Sequence, residues 1–134
     1  MKINFIIQGK VQAKQRPRFN GKFAYTPRET VAYENWVKTC YLEKYKDKEL
    51  MEKPLRVTIK AYFEIPKSTS KKKEAEMLCG AISPTKKPDW DNIGKIVSDA
   101  LNKFAFKDDS QITDVRIFKK YAKTPKVIVQ IGEY

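Results

Sequence analysis

At 134 residues the chain is long enough for one hydrophobic core and too short for two, so residues 1–134 are expected to form a single domain. Twenty-eight Lys and Arg against sixteen Asp and Glu leave a net charge of +12, which calls for a polyanionic partner: nucleic acid rather than a membrane, since no basic amphipathic helix or lipidation signal is present. No histidine is available as base or metal ligand, and no apolar run nears the roughly 18 residues of a membrane span or resembles a cleaved leader, so a cytoplasmic, DNA-associated protein is expected.

Lys2 to Gln8 alternates, with Ile3, Phe5 and Ile7 on one side and Ile6 on the other, which predicts a strand with some burial on both faces. Gly9 to Tyr25 reads as a basic loop or loose hairpin, in which Lys10, Lys14, Arg16, Arg18 and Lys22 are interleaved with Phe19, Phe23 and Tyr25. Cations mixed with aromatic rings suit phosphate contacts and stacking on bases, so Lys14, Arg16 and Arg18 are candidate DNA contacts. Thr26, Pro27 and Glu29 spell an N-cap, a proline at N1 and the glutamate of a capping box, and predict a helix. Tyr33, Trp36, Val37, Cys40 and Tyr41 then share one face, as core or dimer interface. Cys40 and Cys79 are too few and too far apart for a zinc site and are expected to be free thiols.

Leu55 to Phe63 alternates almost without exception and predicts a strand. In the polar stretch Lys67 to Lys87, Ser68 or Ser70 can cap a short helix that Gly80 ends. Lys71, Lys72, Lys73, Lys86 and Lys87 add further candidate DNA contacts, although a lysine run is also an ordinary solvated face. Ile112 to Tyr121 and Lys126 to Ile131 alternate on either side of a short connection with Pro125, which predicts an antiparallel hairpin. The element order β-α-β-(short α)-α-β-β describes an α+β domain with one mixed sheet.

Between the short helix and this hairpin lies the stretch with the most chemistry, Lys87 to Gln111. Ile93, Ile96, Val97, Ala100, Leu101 and Phe104 recur at the helical period, leaving Asp91, Lys95 and Asp99 on the opposite face. Pro88 keeps the approach extended, so a helix starting near Asp91 lets Asp89 and Asp91 converge. Asp108 and Asp109 follow the helix, and a turn there is expected to bring a third carboxylate to the first pair. Such an oxygen-only cluster suits Mg²⁺ or Mn²⁺. Taken singly, each acid has a simpler use: an N-cap, a dipole contact in a first helical turn, or an i, i+4 pair between Asp91 and Lys95.

The run Lys87, Pro88, Asp89, Asp91, Asn92, Lys95, Asp99, Ala100, Leu101, Asp108, Asp109 and Gln111, with the Arg-Pro-Arg loop at Arg16 to Arg18, resembles the signature of the RusA-like Holliday junction resolvases. The resemblance implies a RusA-like fold, a homodimer, Mg²⁺, and cleavage of four-way DNA junctions at paired symmetric positions, with roles in recombination and repair. It assigns Asp89, Asp91 and Asp109 as catalytic, metal-binding aspartates and Lys95 as the functional lysine. The segment between Leu101 and Asp108 is slightly shorter than in that pattern, which keeps Asp108 open as the alternative ligand, though the Asp-Asp-x-Gln order favours Asp109. Two other readings stay beside this one: a non-catalytic basic DNA-binding module, and a metal nuclease acting on another branched DNA.

Overall fold

The computed structural model describes residues 1–134. Strand β1 spans Lys2–Gln8, the two-residue strands β2 and β3 span Arg18–Phe19 and Ala24–Tyr25, and helix α1 spans Arg28–Tyr45. Strand β4 (Leu55–Glu64), helix α2 (Lys71–Leu78), helix α3 (Trp90–Leu101), a 3₁₀ turn at Asp109–Gln111, and strands β5 (Ile112–Ala122) and β6 (Lys126–Glu133) follow. The architecture is the expected α+β one, with one mixed four-stranded sheet and no helix long and apolar enough to cross a membrane.

The sheet order is β1-β6-β4-β5, with β6 antiparallel to both neighbours and β5 parallel to β4. The expected hairpin of β5 and β6 is therefore not formed, because β4 lies between them. β4 is the reason: Leu55, Val57, Ile59, Ala61 and Phe63 are all buried, and Ile59 pairs with Val129 on one edge and Ile117 on the other. A strand so buried cannot leave an edge unpaired. The connection at 123–125 has to cross two strand spacings of about 4.8 Å, which three extended residues can span.

One face of the sheet carries the core. Ile3, Phe5 and Ile7, the inward residues of β4, and Val127, Val129 and Ile131 join the apolar sides of α1 and α3 in a single cluster of 24 buried residues. Ile6 is 44 % exposed, so β1 is buried on one face only, against the expectation of burial on both. The helical layer does not cover the whole sheet. At the β5 edge α3 comes so close that a Cβ on Gly94 would stand 2.7 Å from Ile117 Cδ1, yet Val115 remains half exposed.

Two helix starts differ by one residue from expectation. Pro27 itself is the N-cap of α1, accepting from the Thr30 and Val31 amides, and neither Thr26 nor Glu29 completes a capping box. Tyr33, Val37, Cys40 and Tyr41 of the predicted stripe are buried, whereas Trp36 turns outward and donates its indole N–H to the Gln8 carbonyl at 2.7 Å. Helix α2 begins at Ser70, whose hydroxyl accepts from the Lys73 amide, and ends where Gly80 adopts φ +87°. Helix α3 begins at Trp90, with Asp89 as its N-cap residue.

Candidate active site

The two ends of α3 carry the acids. At the start, Asp89 is extended (φ −72°, ψ 156°), and its backbone carbonyl accepts the Ile93 amide at 3.1 Å while its carboxylate caps nothing. Asp91 sits in the first turn and Lys95 one turn on, both exposed, yet none of the six ion pairs of the chain involves them. The simpler structural uses of these residues, a side-chain cap and an i, i+4 pair, are thus not realised. Two unengaged carboxylates remain where the positive end of a helix dipole tolerates negative charge. The peptide bond leading into this start, Lys87 to Pro88, is cis.

At the far end, the two acids differ from each other. Asp108 accepts from the Ser110 amide at 3.1 Å, and its own amide donates to Gln111 Oε1 at 2.8 Å, which closes a reciprocal capping box. Hydrogen bonding from Ser110, helped by Lys103, holds the Asp108 carboxyl below its ordinary pKa. Gln111 also donates to the Met51 and Lys53 carbonyls at 3.1 and 3.0 Å, tying the turn to the loop before β4. Asp109 has its amide fixed by Asn102 Oδ1 at 3.1 Å, and its carboxylate is uncommitted. The Asp108 carboxylate is thus engaged in the turn, whereas the Asp109 carboxylate is free.

The expected meeting of three carboxylates does not occur within one chain. Asn102, which fixes Asp109, closes a 12-residue helix whose other end holds Asp89 and Asp91, a separation of roughly 18 Å at 1.5 Å per residue. Accordingly, no group of three or more acid or thiol side chains is close enough to hold a metal ion. The first pair alone offers oxygen donors of the type a hard divalent cation takes.

Lys14 is also placed otherwise than expected. Its ammonium lies 3.0 Å from Glu34 on α1 and 3.3 Å from Asp99 on α3, with four-fifths of the side chain covered. Burial alone would lower its pKa, but hydrogen bonding and attraction from both carboxylates outweigh this and raise it. Lys14 therefore serves the fold, and so does Asp99. The Lys14 amide donates to the Asn92 carbonyl at 3.3 Å, which lays the N-terminal loop against the start of α3. Arg16 and Arg18 follow, exposed, from that anchor.

The other candidate cations fall in two places. Lys86 and Lys87 line a cavity of about 500 Å³ with Lys10, Lys67 and Pro88, directly before Asp89. Lys71, Lys72 and Lys73 are exposed on the first turn of α2. A second cavity, of about 340 Å³ and mainly apolar, runs between α3 and β5 and is bordered by Trp90, Asp91, Gly94 and Lys95.

With the geometry in place, the chain can be set beside known proteins. The family model described as Endodeoxyribonuclease RusA matches residues 8–132. The chain belongs to the RusA endodeoxyribonuclease family. A relative, the Uncharacterized protein YqaN of Bacillus subtilis (strain 168), is 36% identical over 137 residues, covering 98% of this chain and 96% of that protein. RusA membership implies endodeoxyribonuclease activity and supports a Holliday junction resolving endonuclease, the family being one that acts on branched DNA junctions. The match spans both ends of α3 and the anchored loop, so every candidate residue above lies inside the RusA region.

Sequence reasoning missed Trp90 and Lys67. Trp90 sits between the two free acids and is 64% exposed. No sequence signal marked it: three residues before Ile93 and seven before Val97, it is in phase with the apolar stripe of α3, and only the fold leaves it uncovered. Lys67 had none either, since only the fold brings the end of β4 beside Lys86.

Proposed function

We propose that the chain is a Mg²⁺-dependent endonuclease that resolves four-way DNA junctions as a homodimer, by paired symmetric hydrolysis of phosphodiesters. The observation carrying this reading is the pair of unengaged carboxylates, Asp89 and Asp91, at the start of α3 in a chain of net charge +12. A basic protein that leaves two acids exposed and unpaired where it must meet phosphates gains from them only if a cation intervenes.

Asp109 lies too far from that pair to join it in the same chain, so a dimer in which Asp109 of the partner subunit faces Asp89 and Asp91 accounts for all three acids. A two-fold axis relating antiparallel α3 helices would form two such sites and give two cuts. These carboxylates would hold Mg²⁺, or Mn²⁺ as its substitute, which supplies phosphate charge neutralisation and a more acidic water. Lys95, one turn from Asp91, would anchor the scissile phosphate and offset charge developing on its oxygens. Arg16, Arg18, Lys71 to Lys73, Lys86 and Lys87 would hold flanking phosphates.

The test is a substrate panel of duplex, flap, fork and four-way DNA with Mg²⁺ or with chelator. Chelator-sensitive cutting at two symmetric positions of the four-way junction is expected. Cutting confined to a flap or fork favours a nuclease for another branched DNA, and binding without metal-dependent cutting of any substrate favours a DNA-binding module.

A further inference from the structure

The N-terminal basic loop is a built hairpin with an unusual tip. Arg18 pairs with Tyr25 and Phe19 with Ala24. Asn20 closes the turn, its side-chain oxygen accepting from the Lys22 and Phe23 amides at 3.0 and 3.1 Å, and its amide donating to the Phe23 carbonyl at 3.3 Å. Gly21 supplies the φ of +94° that such a reversal needs. Phe19 and Phe23 therefore stand on either side of a fixed turn.

Nothing in the chain covers them: Phe19 is 70% exposed and Phe23 61%, and neither takes part in an aromatic or cation–π contact. Leaving two phenylalanine rings in water forgoes burial that would stabilise the fold. The surroundings say what kind of surface they await. Arg16, Arg18 and Lys22 flank them, all exposed, and no acid intervenes between Lys10 and Arg28. A partner offering phosphates around flat apolar faces is nucleic acid with accessible bases.

The stem fixes where the rings are presented. The Lys14 amide bonds the Asn92 carbonyl, the residue after Asp91, and the Gln15 amide bonds Thr30 Oγ1 on α1 at 3.3 Å. The base of the loop is thus anchored beside the start of α3, with Phe19 five residues beyond the Lys14 contact. From this geometry we infer that Phe19 and Phe23 form an aromatic wedge that stacks on bases unpaired at the centre of a branched DNA, opening the branch point beside Asp89 and Asp91. The inference rests on the junction-resolving reading above and adds the element that recognises the branch. In a linear duplex the base faces are covered by their neighbours, so the wedge favours junctions over duplex.

The test compares the parent protein with a Phe19→Ala/Phe23→Ala variant on a four-way junction carrying 2-aminopurine at its centre, with a linear duplex of the same sequence as control. Parent binding is expected to raise the 2-aminopurine fluorescence. The variant should lose that rise, bind the junction roughly tenfold more weakly, and bind duplex as the parent does. A Phe19→Leu/Phe23→Leu variant, apolar but without a ring face, should behave like the alanine variant, and Phe19→Trp/Phe23→Trp should restore the signal.

An unchanged fluorescence rise and an unchanged junction-to-duplex ratio in the alanine variant would overturn the wedge. So would loss of self-association in that variant without DNA, which would make the tip a contact between two copies. If the parent cuts the junction while the variant shows no defect, only the wedge falls. If the parent neither binds nor cuts junctions, the functional reading falls with it.

Discussion

The two acidic pairs at the ends of α3 look alike in sequence and behave differently in the fold. Asp108 is engaged in a reciprocal capping box and its neighbour Asp109 is fixed through its amide, whereas the carboxylates of Asp89 and Asp91 have no partner. The same contrast separates Lys14, held between Glu34 and Asp99, from Arg16 and Arg18, which face solvent. Charge that the fold uses can be told from charge left over by asking what each group touches. In a basic, DNA-acting family, the leftover charge is where function is expected.

That division is broken or sharpened by substitution, and the free acids give the largest effect. Asp89→Asn or Asp91→Asn should lower junction cleavage by at least about a thousandfold, since several kcal/mol of charge stabilisation is involved and each ~1.4 kcal/mol is tenfold. Junction binding should stay equal or tighten, because repulsion of phosphate is removed. Folding stability, measured by denaturant titration, should change by no more than about 0.5 kcal/mol, as for other exposed positions. A large loss of stability would mean these acids belong to the fold after all.

Lys14→Ala should do the reverse. With two carboxylates left facing each other and only partial exposure, the loss should be about 1–2 kcal/mol, between values for surface and buried pairs. The salt dependence of DNA binding should keep its slope. Arg16→Ala or Arg18→Ala, by contrast, should leave the melting midpoint in place and flatten the log–log salt slope by about 0.9 for each phosphate no longer neutralised. Identical slopes in all three variants would remove the distinction between held and free cations.

The smallest effects lie in the pH dependence of stability. The Lys14 pKa is raised in the fold, so its contribution is complete below the unfolded value of 10.5 and is lost as pH rises through the higher folded value. The Asp108 pKa is lowered, so its contribution is present above 3.8 and is lost as pH falls through the lower folded value. Lys14→Met should flatten the alkaline limb of a melting-temperature profile, and Asp108→Ala the acid limb.

Much of this was legible in the sequence. The stripe of α3 and the alternation of β4 follow from period alone; β4 stands where that pattern puts it, and α3 does as far as Leu101, leaving Phe104 of the expected stripe in the turn beyond the helix. Partners were harder: β5 and β6 are adjacent in sequence and alternate well, but alternation does not say which strands pair, and the buried β4 takes both. Thr26 reads as a cap, yet the Pro27 carbonyl already accepts the first helical amides. The separation of the acids was not readable, because seven residues between Leu101 and Asp109 are long enough to run back along α3, and only the Asn102 contact holds Asp109 at the far end. Nor was the fate of Lys14, since it depends on α1 and α3 packing side by side, a contact between residues distant in the chain.

Whether Asp89 and Asp91 of one chain work with Asp109 of another is tested most directly by mixing inactive variants. Chains carrying Asp91→Asn and chains carrying Asp109→Asn should each fail to cut a four-way junction. Co-refolded and purified as tagged heterodimers, they should regain Mg²⁺-dependent nicking of one strand, because one of the two composite sites is then wild type. Heterodimers shown by light scattering to have formed, yet as inactive as either variant alone, would contradict the shared site.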